Sequence, residues 1–482
     1  MAYPRPDLES ATALGAALRR IGYSETRVLD MLGDEVYSHG RDELPLDERR
    51  VAATRLGTVV RALFLQLPTP RADVAGALGE RAVRALESIG FVAEGEPYRL
   101  RARILPVGDL LVASDDYPQD EREDPPDYVA AYTLTSRVCD CLTPRVRGIR
   151  ALDVGTGSGV QALMAARHAA HVTATDINPR AIAFTNLNAA LNGFRNIEAR
   201  LSSLFDSVAG ERFDLITCNP PYVVSPENRW AYRDSGLRGD EISRRVLLEA
   251  AGHLAENGYM TMLASWVGAD EQRADERPLA WVKGVKGCDA WILSVWEADP
   301  LDHAATWNKQ LAGKPEDFGR AIDTWTGYLH EIGAGWVSEG AILLHRRPGR
   351  RHGARVDGID DDALEAAGDQ VRRAFAGRAA LASLARAQEL LSTRLELVMP
   401  VELEQELVPR RGRNAAVAAR VQLADGTSST IETTPRALEL VPHLDGSVSL
   451  QRLVGRAAPA ARRDALRLCR ELVELGAARI RS

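Results

Sequence analysis

Residues 150–166 read RALDVGTGSGVQALMAA: an apolar run, a turn with three glycines, and a stretch with the apolar spacing of a helix. Gly155, Gly157 and Gly159 allow the backbone to adopt positive φ and to pass close to a ligand. A buried strand that runs through a tight glycine turn into a helix begins a βαβ unit. The stretch therefore predicts an α/β fold built on a parallel sheet.

The same alternation of strand and helix patterns extends from about residue 129 to 348. Further strand candidates are HVTATD, FDLITC, YMTMLAS, AWILSVWE and AILLHRR. The pattern predicts a doubly wound, mostly parallel, Rossmann-like sheet with helices on both faces. All eight tryptophans lie between Trp230 and Trp336. We expect most of them in the sheet–helix core, and Trp230 at the mouth of a substrate site.

A flanking unit is predicted on the N-terminal side, over residues 1–114. Helical spacing over 7–21 and 47–67 is followed by two short helices and a β-ribbon, which is the order of a winged helix. The acidic stretch 115–128 is expected to be a linker or entrance loop at the start of the α/β domain, which we place at residues 115–348.

A third unit, winged-helix-like and α+β, is predicted over residues 349–482. The basic, glycine-containing stretch 346–358 is expected to be the linker that leads into it. Strict apolar alternation over 395–403 predicts one half-buried strand, and a hairpin is expected with its turn at Asp425-Gly426. From residue 446 onward, eight arginines against three acids suggest either a nucleic-acid face or a solvated helix surface.

Composition excludes several classes of protein. With 482 residues, the chain is too long for a single core, and its net charge of -7 gives no whole-chain affinity for nucleic acid. The absence of a long apolar run and of a signal-like N-terminus predicts a cytoplasmic protein without a membrane span. Scattered cysteines and histidines predict neither disulfides nor a metal site: Cys139, Cys141, Cys218, Cys288, Cys469, His303, His330, His345 and His443.

The glycine turn has a spacing that distinguishes between cofactors. A dinucleotide fingerprint needs its third glycine at position 160, which is Val160. Asp153 at the mouth of the turn disfavours a pyrophosphate but suits a ligand with an ammonium group, such as S-adenosylmethionine. Asp176 closes the next strand, where an acid can accept hydrogen bonds from both ribose hydroxyls. On its own, a turn of this kind is also typical of a plain strand–helix connection.

A second motif follows the strand candidate FDLITC, which ends abruptly in Asn219-Pro220-Pro221-Tyr222. Neither proline offers an N–H group and both fix φ, so the strand must stop in a rigid corner. Pro221 also restricts Pro220 to an extended ψ, which directs the Pro220 carbonyl outward. The corner therefore presents an amide, a carbonyl oxygen and a phenol at the strand end.

Taken together, LDVGTGSG, TDINPRAIAFTNLNAALNG and FDLITCNPPYV resemble the class I S-adenosylmethionine-dependent methyltransferases of the Asn-Pro-Pro-Tyr group. The resemblance covers roughly residues 129–348. It implies methylation of a nitrogen conjugated to a planar system, either a glutamine side chain of a release factor or an exocyclic amine of adenine or guanine in RNA or DNA. The stretch RDSGLRGDEISRRVLLEAAGHLAENGYM is similar to the protein-glutamine branch.

The resemblance also implies roles for individual residues. Asn219 and Pro220 would supply two oxygen acceptors that pull the flat nitrogen toward tetrahedral geometry, with Pro221 and Tyr222 completing the catalytic corner and Tyr222 stacking on the planar group. The adenine contact falls on Ser203 or its neighbours Ser202 and Asp206. The candidate cofactor-binding residues are Asp153, Gly155, Thr156, Gly157, Gly159, Asp176, Ile177, Ser203 and Asn219.

Three functions remain open at this point. The first is methylation of a glutamine in a protein such as a translation factor, and the second is methylation of a base amine in rRNA, tRNA or DNA. The third is a regulatory protein that binds the cofactor without turnover, against which the intact Asn-Pro-Pro-Tyr corner argues. No metal or membrane partner is expected.

Overall fold

The computed structural model describes residues 4–5, 7–40, 42–93, 98–115, 125–227, 233–349, 352–359, 364, 367–384, 386–410, 413–455 and 457–481. The N-terminal elements are α1 (Leu8–Ile21), α2 (Glu25–Leu32), α3 (Leu44–Arg50), α4 (Arg55–Val59), α5 (Arg71–Leu78), α6 (Glu80–Ile89), β1 (Ala102–Val107) and β2 (Leu110–Asp115). No helix within these ranges has the length and apolarity that a membrane crossing needs.

The central elements are α7 (Leu134–Leu142), β3 (Arg150–Val154), α8 (Val160–Ala166), β4 (His171–Asp176), α9 (Pro179–Asn192), β5 (Ile197–Leu201), β6 (Phe213–Cys218), α10 (Glu241–His253), β7 (Leu254–Gly268), α11 (Glu276–Lys283), β8 (Cys288–Ala298), α12 (Pro300–Trp307), α13 (Pro315–Glu331), β9 (Trp336–Arg346) and β10 (Ala354–Gly358). The C-terminal elements are α14 (Ala367–Ser383), β11 (Arg394–Leu397), β12 (Val401–Arg410), β13 (Arg413–Leu423), β14 (Thr430–Thr433), α15 (Pro435–Leu438), β15 (Asp445–Ser449), α16 (Leu450–Val454), α17 (Pro459–Glu474) and β16 (Ala478–Arg481).

Local sequence explains where the N-terminal helices begin and end. Asp7 caps α1 by accepting a hydrogen bond from the Ser10 amide at 3.0 Å, and Gly22 ends the helix in the left-handed region. The single helix expected over residues 47–67 is wrong, because α3 stops at Arg50 and Thr54 caps a new helix through the Gly57 amide. The hairpin β1–β2 follows the helices, and its assignment to a winged helix stays a prediction.

The central sheet confirms the mostly parallel α/β architecture. Its eight strands run in the order β10-β8-β9-β7-β6-β3-β4-β5, and β9 alone is antiparallel to its neighbours. The chain winds outward from β3 to β4 and β5, then returns to place β6 on the other side of β3. This reversal makes the carboxyl ends of β3 and β6 the topological switch point, where ligands bind in open α/β sheets.

Two expectations about the later part of the chain are wrong. Residues 354–358, expected within a linker, form the edge strand β10, which pairs in parallel with β8. The alternating stretch over 395–403 is divided between β11 and β12, which belong to different three-stranded sheets. Pro400 lies at this break, where a residue without an N–H cannot continue a ladder. The hairpin with Gly426 at positive φ in its turn is confirmed as β13–β14.

Both flanking parts share hydrophobic cores with the central sheet and its helices. The N-terminal helices pack with Phe184 and Leu187 of α9. On the other side, Trp291 and Leu343 of the sheet lie in one buried cluster with Phe375 of α14. Trp266, Trp281, Trp291 and Trp325 are buried as expected, whereas Trp230 and most of the acidic stretch 115–128 lie outside the described residues. The division into units at residues 114 and 348 stays a prediction.

Candidate active site

Strand register brings the two sequence motifs together. Val154 of β3 and Cys218 of β6 are partners in the sheet, so Gly155 and Asn219 follow at adjacent strand ends. On the other side of β3, Val154 is paired with Thr175 of β4, which places Asp176 beside the glycine turn. The glycine turn, the acid and the Asn-Pro-Pro-Tyr corner therefore meet at one edge of the sheet.

The three glycines have different surroundings. All three have positive φ, at 68°, 56° and 86° for Gly155, Gly157 and Gly159. A Cβ atom at Gly155 or Gly157 would meet nothing within 4 Å, whereas one at Gly159 would lie 3.1 Å from the Thr185 hydroxyl of α9. Gly155 and Gly157 therefore border open space at the strand ends, while Gly159 lets the turn approach α9 closely.

Asp153 lies beneath the turn and is only 2% exposed. Its carboxylate accepts hydrogen bonds from the Thr156 hydroxyl at 2.6 Å, the Thr217 hydroxyl at 3.0 Å and the Ala162 amide at 3.1 Å. Burial raises the pKa of Asp153 to about 6, against the lowering effect of these bonds. Asp153 therefore ties the glycine turn to β6 and to α8, and the predicted direct contact with an ammonium group would have to compete with these bonds.

Asp176 and its neighbours lie on the other side of the candidate cofactor site from the Asn-Pro-Pro-Tyr corner. The Asp176 carboxylate accepts from the Gly157 amide at 2.9 Å and from the Asn178 amide at 2.8 Å, and each oxygen keeps a further lone pair. Burial raises the pKa of Asp176. The adjacent Ile177 side chain is 68% exposed although it is apolar. Ser203 is exposed, whereas Ser202 is buried and accepts from the Ser207 amide at 3.0 Å.

These features fit S-adenosylmethionine. Open space faces Gly155 and Gly157, where a ligand can lie against the backbone. Asp176 is placed to accept bonds from ribose hydroxyls, and the exposed Ile177 offers an apolar surface to a purine. The turn presents no phosphate-directed lysine, which agrees with a ligand that lacks phosphate.

The Asn-Pro-Pro-Tyr corner holds an amide without a partner. Asn219 is partly buried, and its side chain forms no hydrogen bond with any of the residues that the structure describes. Pro220 is buried and Pro221 partly exposed. Tyr222 is only 8% exposed, and burial, followed by the charge of Glu339, raises the pKa of its hydroxyl. Stacking of Tyr222 on a substrate, expected from the sequence, stays a prediction.

A polar cluster behind the corner was not found from the sequence. Ser265 of β7 donates its hydroxyl to the Tyr222 carbonyl, and Glu339 of β9 is the partner of Ser265 across the sheet. The Glu339 carboxylate accepts from the Trp307 indole at 3.0 Å, and burial raises the pKa of Glu339 to about 7. These residues are far apart in sequence, so only the strand register could have revealed the cluster.

His303 completes this cluster. Its Nε2 lies 2.9 Å from the Val224 carbonyl and must donate, because a carbonyl only accepts. Its Nδ1 therefore carries a lone pair, and it lies 3.9 Å from a Glu339 oxygen without a hydrogen bond. Burial lowers the pKa of His303 to about 4, so the ring is neutral.

The remaining histidines fit ordinary roles. His345 is buried against Tyr259 with ring centroids 4.4 Å apart, while His330 and His443 are exposed. Among the residues described by the structure, no group of three or more histidine, cysteine and acidic side chains is arranged to hold a metal ion.

Comparison with known proteins agrees with this geometry. The family model of the methyltransferase small domain matches residues 135–270, which include the glycine turn and the Asn-Pro-Pro-Tyr corner. The release factor glutamine methyltransferase of Cereibacter sphaeroides is 34% identical over 259 residues, which cover 49% of this chain and 82% of that protein. The putative protein N5-glutamine methyltransferase of Methanocaldococcus jannaschii is 32% identical, over 27% of this chain and 69% of that protein.

The ribosomal protein uL3 glutamine methyltransferase of Xanthomonas campestris is 35% identical over 150 residues, which cover 28% of this chain. The chain spans about half the length of this relative, 48% of it. The sheet order and the glycine turn define a class I methyltransferase fold. Within that class, the chain belongs to the family of the protein-glutamine methyltransferases.

Proposed function

We propose that this protein is an S-adenosylmethionine-dependent N-methyltransferase that methylates the side-chain amide of a glutamine in a protein. The observation that carries the proposal is the Asn219 amide, partly buried and without a partner among the described residues, next to the open space at Gly155 and Gly157. A polar side chain at a switch point with no intramolecular hydrogen bond among the described residues is free to bind a ligand there.

The reaction needs hydrogen-bond acceptors for the substrate amide rather than a strong base. An amide nitrogen is a poor nucleophile because its lone pair is delocalised, and its N–H is too weak an acid to be deprotonated first. The Asn219 side-chain oxygen and the Pro220 carbonyl would accept hydrogen bonds from the two N–H groups of the substrate amide and stabilise the positive charge that develops on nitrogen. Bound S-adenosylmethionine would supply the methyl group from its sulfonium, with S-adenosylhomocysteine as the leaving group. The extra proton on the methylated nitrogen would pass to water.

The remaining residues hold this geometry. Ser265 fixes the corner through the Tyr222 carbonyl, which keeps the two acceptor oxygens in place. Asp176 would accept the ribose hydroxyls, Ile177 would cover one face of the adenine, and Ser203 would contact its edge. Alignment of the substrate nitrogen with the methyl group also contributes, because well-oriented groups react as if they belonged to one molecule.

Support for a protein substrate comes from the names of the relatives, which are methyltransferases of release factors, of ribosomal protein uL3 and of protein glutamine. We infer that the substrate is a protein of the translation machinery and that the reaction takes place in the cytoplasm.

A labelling experiment tests the proposal. Purified protein and methyl-labelled S-adenosylmethionine are incubated with a cell lysate, and samples are then treated with protease or nuclease. We expect label that protease releases and nuclease does not, and N5-methylglutamine in the hydrolysed peptides. Label that nuclease releases would instead establish a base amine as the substrate, and absence of label from every fraction would favour a non-catalytic cofactor-binding protein.

A further inference from the structure

A second cleft lies at the amino-terminal ends of β8 and β10, the end of the sheet opposite to Asn219. The C-terminal helices α14 and α17 form its other side. Its volume is about 670 Å³, and five arginines line it against two acids, Asp289 and Glu474. Asp289 is at the beginning of β8 and Ala354 at the beginning of β10. The cleft therefore faces away from the carboxyl ends of the strands, where Asn219 lies.

The acids of this cleft are already neutralised by three of the arginines. Arg347 forms a two-point ion pair with Asp289. Glu474 accepts from Arg470 at 2.7 Å and from Arg355 at 3.2 Å. Arg355 also binds Asp357 and Glu471, so its charge is fully engaged. Within the described part of the chain, these pairs leave the charges of the other two lining arginines, Arg378 and Arg467, without a bonded carboxylate.

Arg378 is the more unusual of the two. Its guanidinium lies over the Trp291 ring, 4.5 Å from the ring centroid, and donates to the backbone carbonyls of Glu474 at 3.0 Å and Ala290 at 3.3 Å. Its buried Nη2 has no hydrogen-bond partner among the residues that the structure describes. Burial, followed by the charge of Arg355, lowers the pKa of Arg378 to about 10, which leaves it charged at neutral pH.

The half-buried guanidinium of Arg378 lines the cleft and has no bonded anion among the described residues, and a charge partly withdrawn from water has to be offset by a partner. Arg467 adds a second cation from the exposed side of α17, and it forms no ion pair with a carboxylate of the described residues. A planar guanidinium with its N–H groups exposed, as in Arg467, binds phosphate oxygens in pairs of hydrogen bonds, while Arg378 contributes mainly its positive charge. The cleft is also far larger than a single phosphate group.

We propose that this cleft is a second ligand site, in which Arg378 and Arg467 bind the phosphate groups of a polynucleotide backbone or of a small polyphosphate. The site is separate from the proposed methyl-transfer site and depends on no step of that reaction. Of the eight arginines from residue 446 onward, Arg467 and Arg470 line the cleft.

Binding to the full-length chain tests the site without measuring methylation. Anisotropy of a fluorescent twelve-nucleotide single-stranded RNA and calorimetry with inorganic pyrophosphate separate the two sources of phosphate. The variants are Arg378→Met and Arg467→Met, and the matched control is Arg372→Met, an exposed arginine on α14 outside the cleft. Circular dichroism and thermal unfolding verify that each variant is folded.

We expect one or both probes to bind, with affinity reduced at least about tenfold by Arg378→Met and severalfold by Arg467→Met, and unchanged within about twofold by the control. If RNA is the ligand, each lost contact should also reduce the slope of log K against log salt by about 0.7. If Arg378→Met fails to fold, the exposed Arg467 still tests the site. Binding of neither probe, or equal losses in Arg467→Met and the control, would overturn the proposal.

Discussion

Asn219 is the side chain on which the proposed chemistry depends most directly. In Asn219→Ala the corner keeps its prolines but loses the acceptor oxygen. We expect methyl transfer to fall by a factor of about 10²–10³, the effect of deleting one preorganised group that stabilises developing charge. Cofactor affinity should stay nearly unchanged, because Gly155, Gly157 and Asp176 remain. Initial rates with labelled cofactor and calorimetric titration measure the two effects separately.

Asn219→Asp is the matched variant for this test. It keeps an oxygen acceptor at the same place, so it should retain more transfer than Asn219→Ala. A large loss of cofactor binding in either variant would contradict the role given to Asn219, since it would mean that the side chain holds the cofactor rather than the substrate amide.

Glu339 predicts a pH dependence of stability. Burial raises its pKa from 4.5 to about 7, so the folded state favours the neutral acid. The stabilisation is complete below pH 4.5 and is lost as the pH rises toward 7, because the unfolded chain then releases a proton that the folded chain retains. Glu339→Gln keeps an acceptor for Trp307 and removes this titration. It should raise the free energy of unfolding at pH 8 by an amount on the order of 3 kcal/mol.

Urea unfolding at several pH values between 4 and 8 measures this effect. Glu331→Gln is the control, because Glu331 is exposed at the end of α13 and should leave the profile unchanged. Equal profiles for Glu339→Gln and the unmodified protein would show that the carboxyl group titrates normally.

At the scale of elements, we predict different effects on stability and on cofactor affinity when alanine replaces each of two glycines in the strand–turn–helix unit β3–α8. Gly157→Ala adds a Cβ into open space, so it should cost only the strain of positive φ, about 1–2 kcal/mol. Gly159→Ala has the same strain and in addition crowds Thr185, which should cost about 1–3 kcal/mol more. Cofactor affinity should fall mainly in Gly157→Ala, whose new methyl group occupies the ligand space.

Calorimetry with S-adenosylmethionine and denaturant unfolding distinguish the two outcomes. Gly210→Ala is a useful control, since it also has positive φ and an open Cβ direction but lies away from the site. If Gly157→Ala bound the cofactor normally, the open space at Gly157 would not be the ligand site.

Interior strands could be predicted from sequence, whereas edge strands could not. The six apolar runs all form strands of the central sheet, because a strand buried on both faces must be apolar throughout. The sequence analysis missed β5 and β10, which form the two edges and read IEARL and ARVDG. Each carries two charged residues among its five, so neither has an apolar pattern that separates it from a loop.

The residues of the candidate active site also fall into two groups, those that the sequence predicted and those that it did not. Motif spacing predicted the glycine turn and the Asn-Pro-Pro-Tyr corner, because each is a local sequence whose backbone geometry decides its role. Ser265, His303 and Glu339 could not be predicted, since each is an ordinary residue in its own segment. They meet only because β9 inserts antiparallel between β7 and β8.

For the whole molecule, the shared core predicts that the central and C-terminal parts unfold together. Phe375 of α14 packs on the sheet, with ring centroids 5.4 Å from His345 and 6.2 Å from Tyr259. Phe375→Ala should therefore lower the free energy of unfolding by about 3–5 kcal/mol. All tryptophans lie between residues 230 and 336, so tryptophan fluorescence reports on the central part alone.

If the two parts form one cooperative unit, Phe375→Ala lowers the fluorescence midpoint and the calorimetric midpoint by the same amount, although the change lies outside the tryptophan-containing region. Leu407→Ala, a large-to-small change at an exposed position of β12, should move neither midpoint. A fluorescence midpoint that stayed constant while a separate calorimetric peak shifted would instead show an independent C-terminal domain. A shared unfolding transition would mean that the basic cleft between the two parts has walls fixed by the same core that supports the methyltransferase sheet.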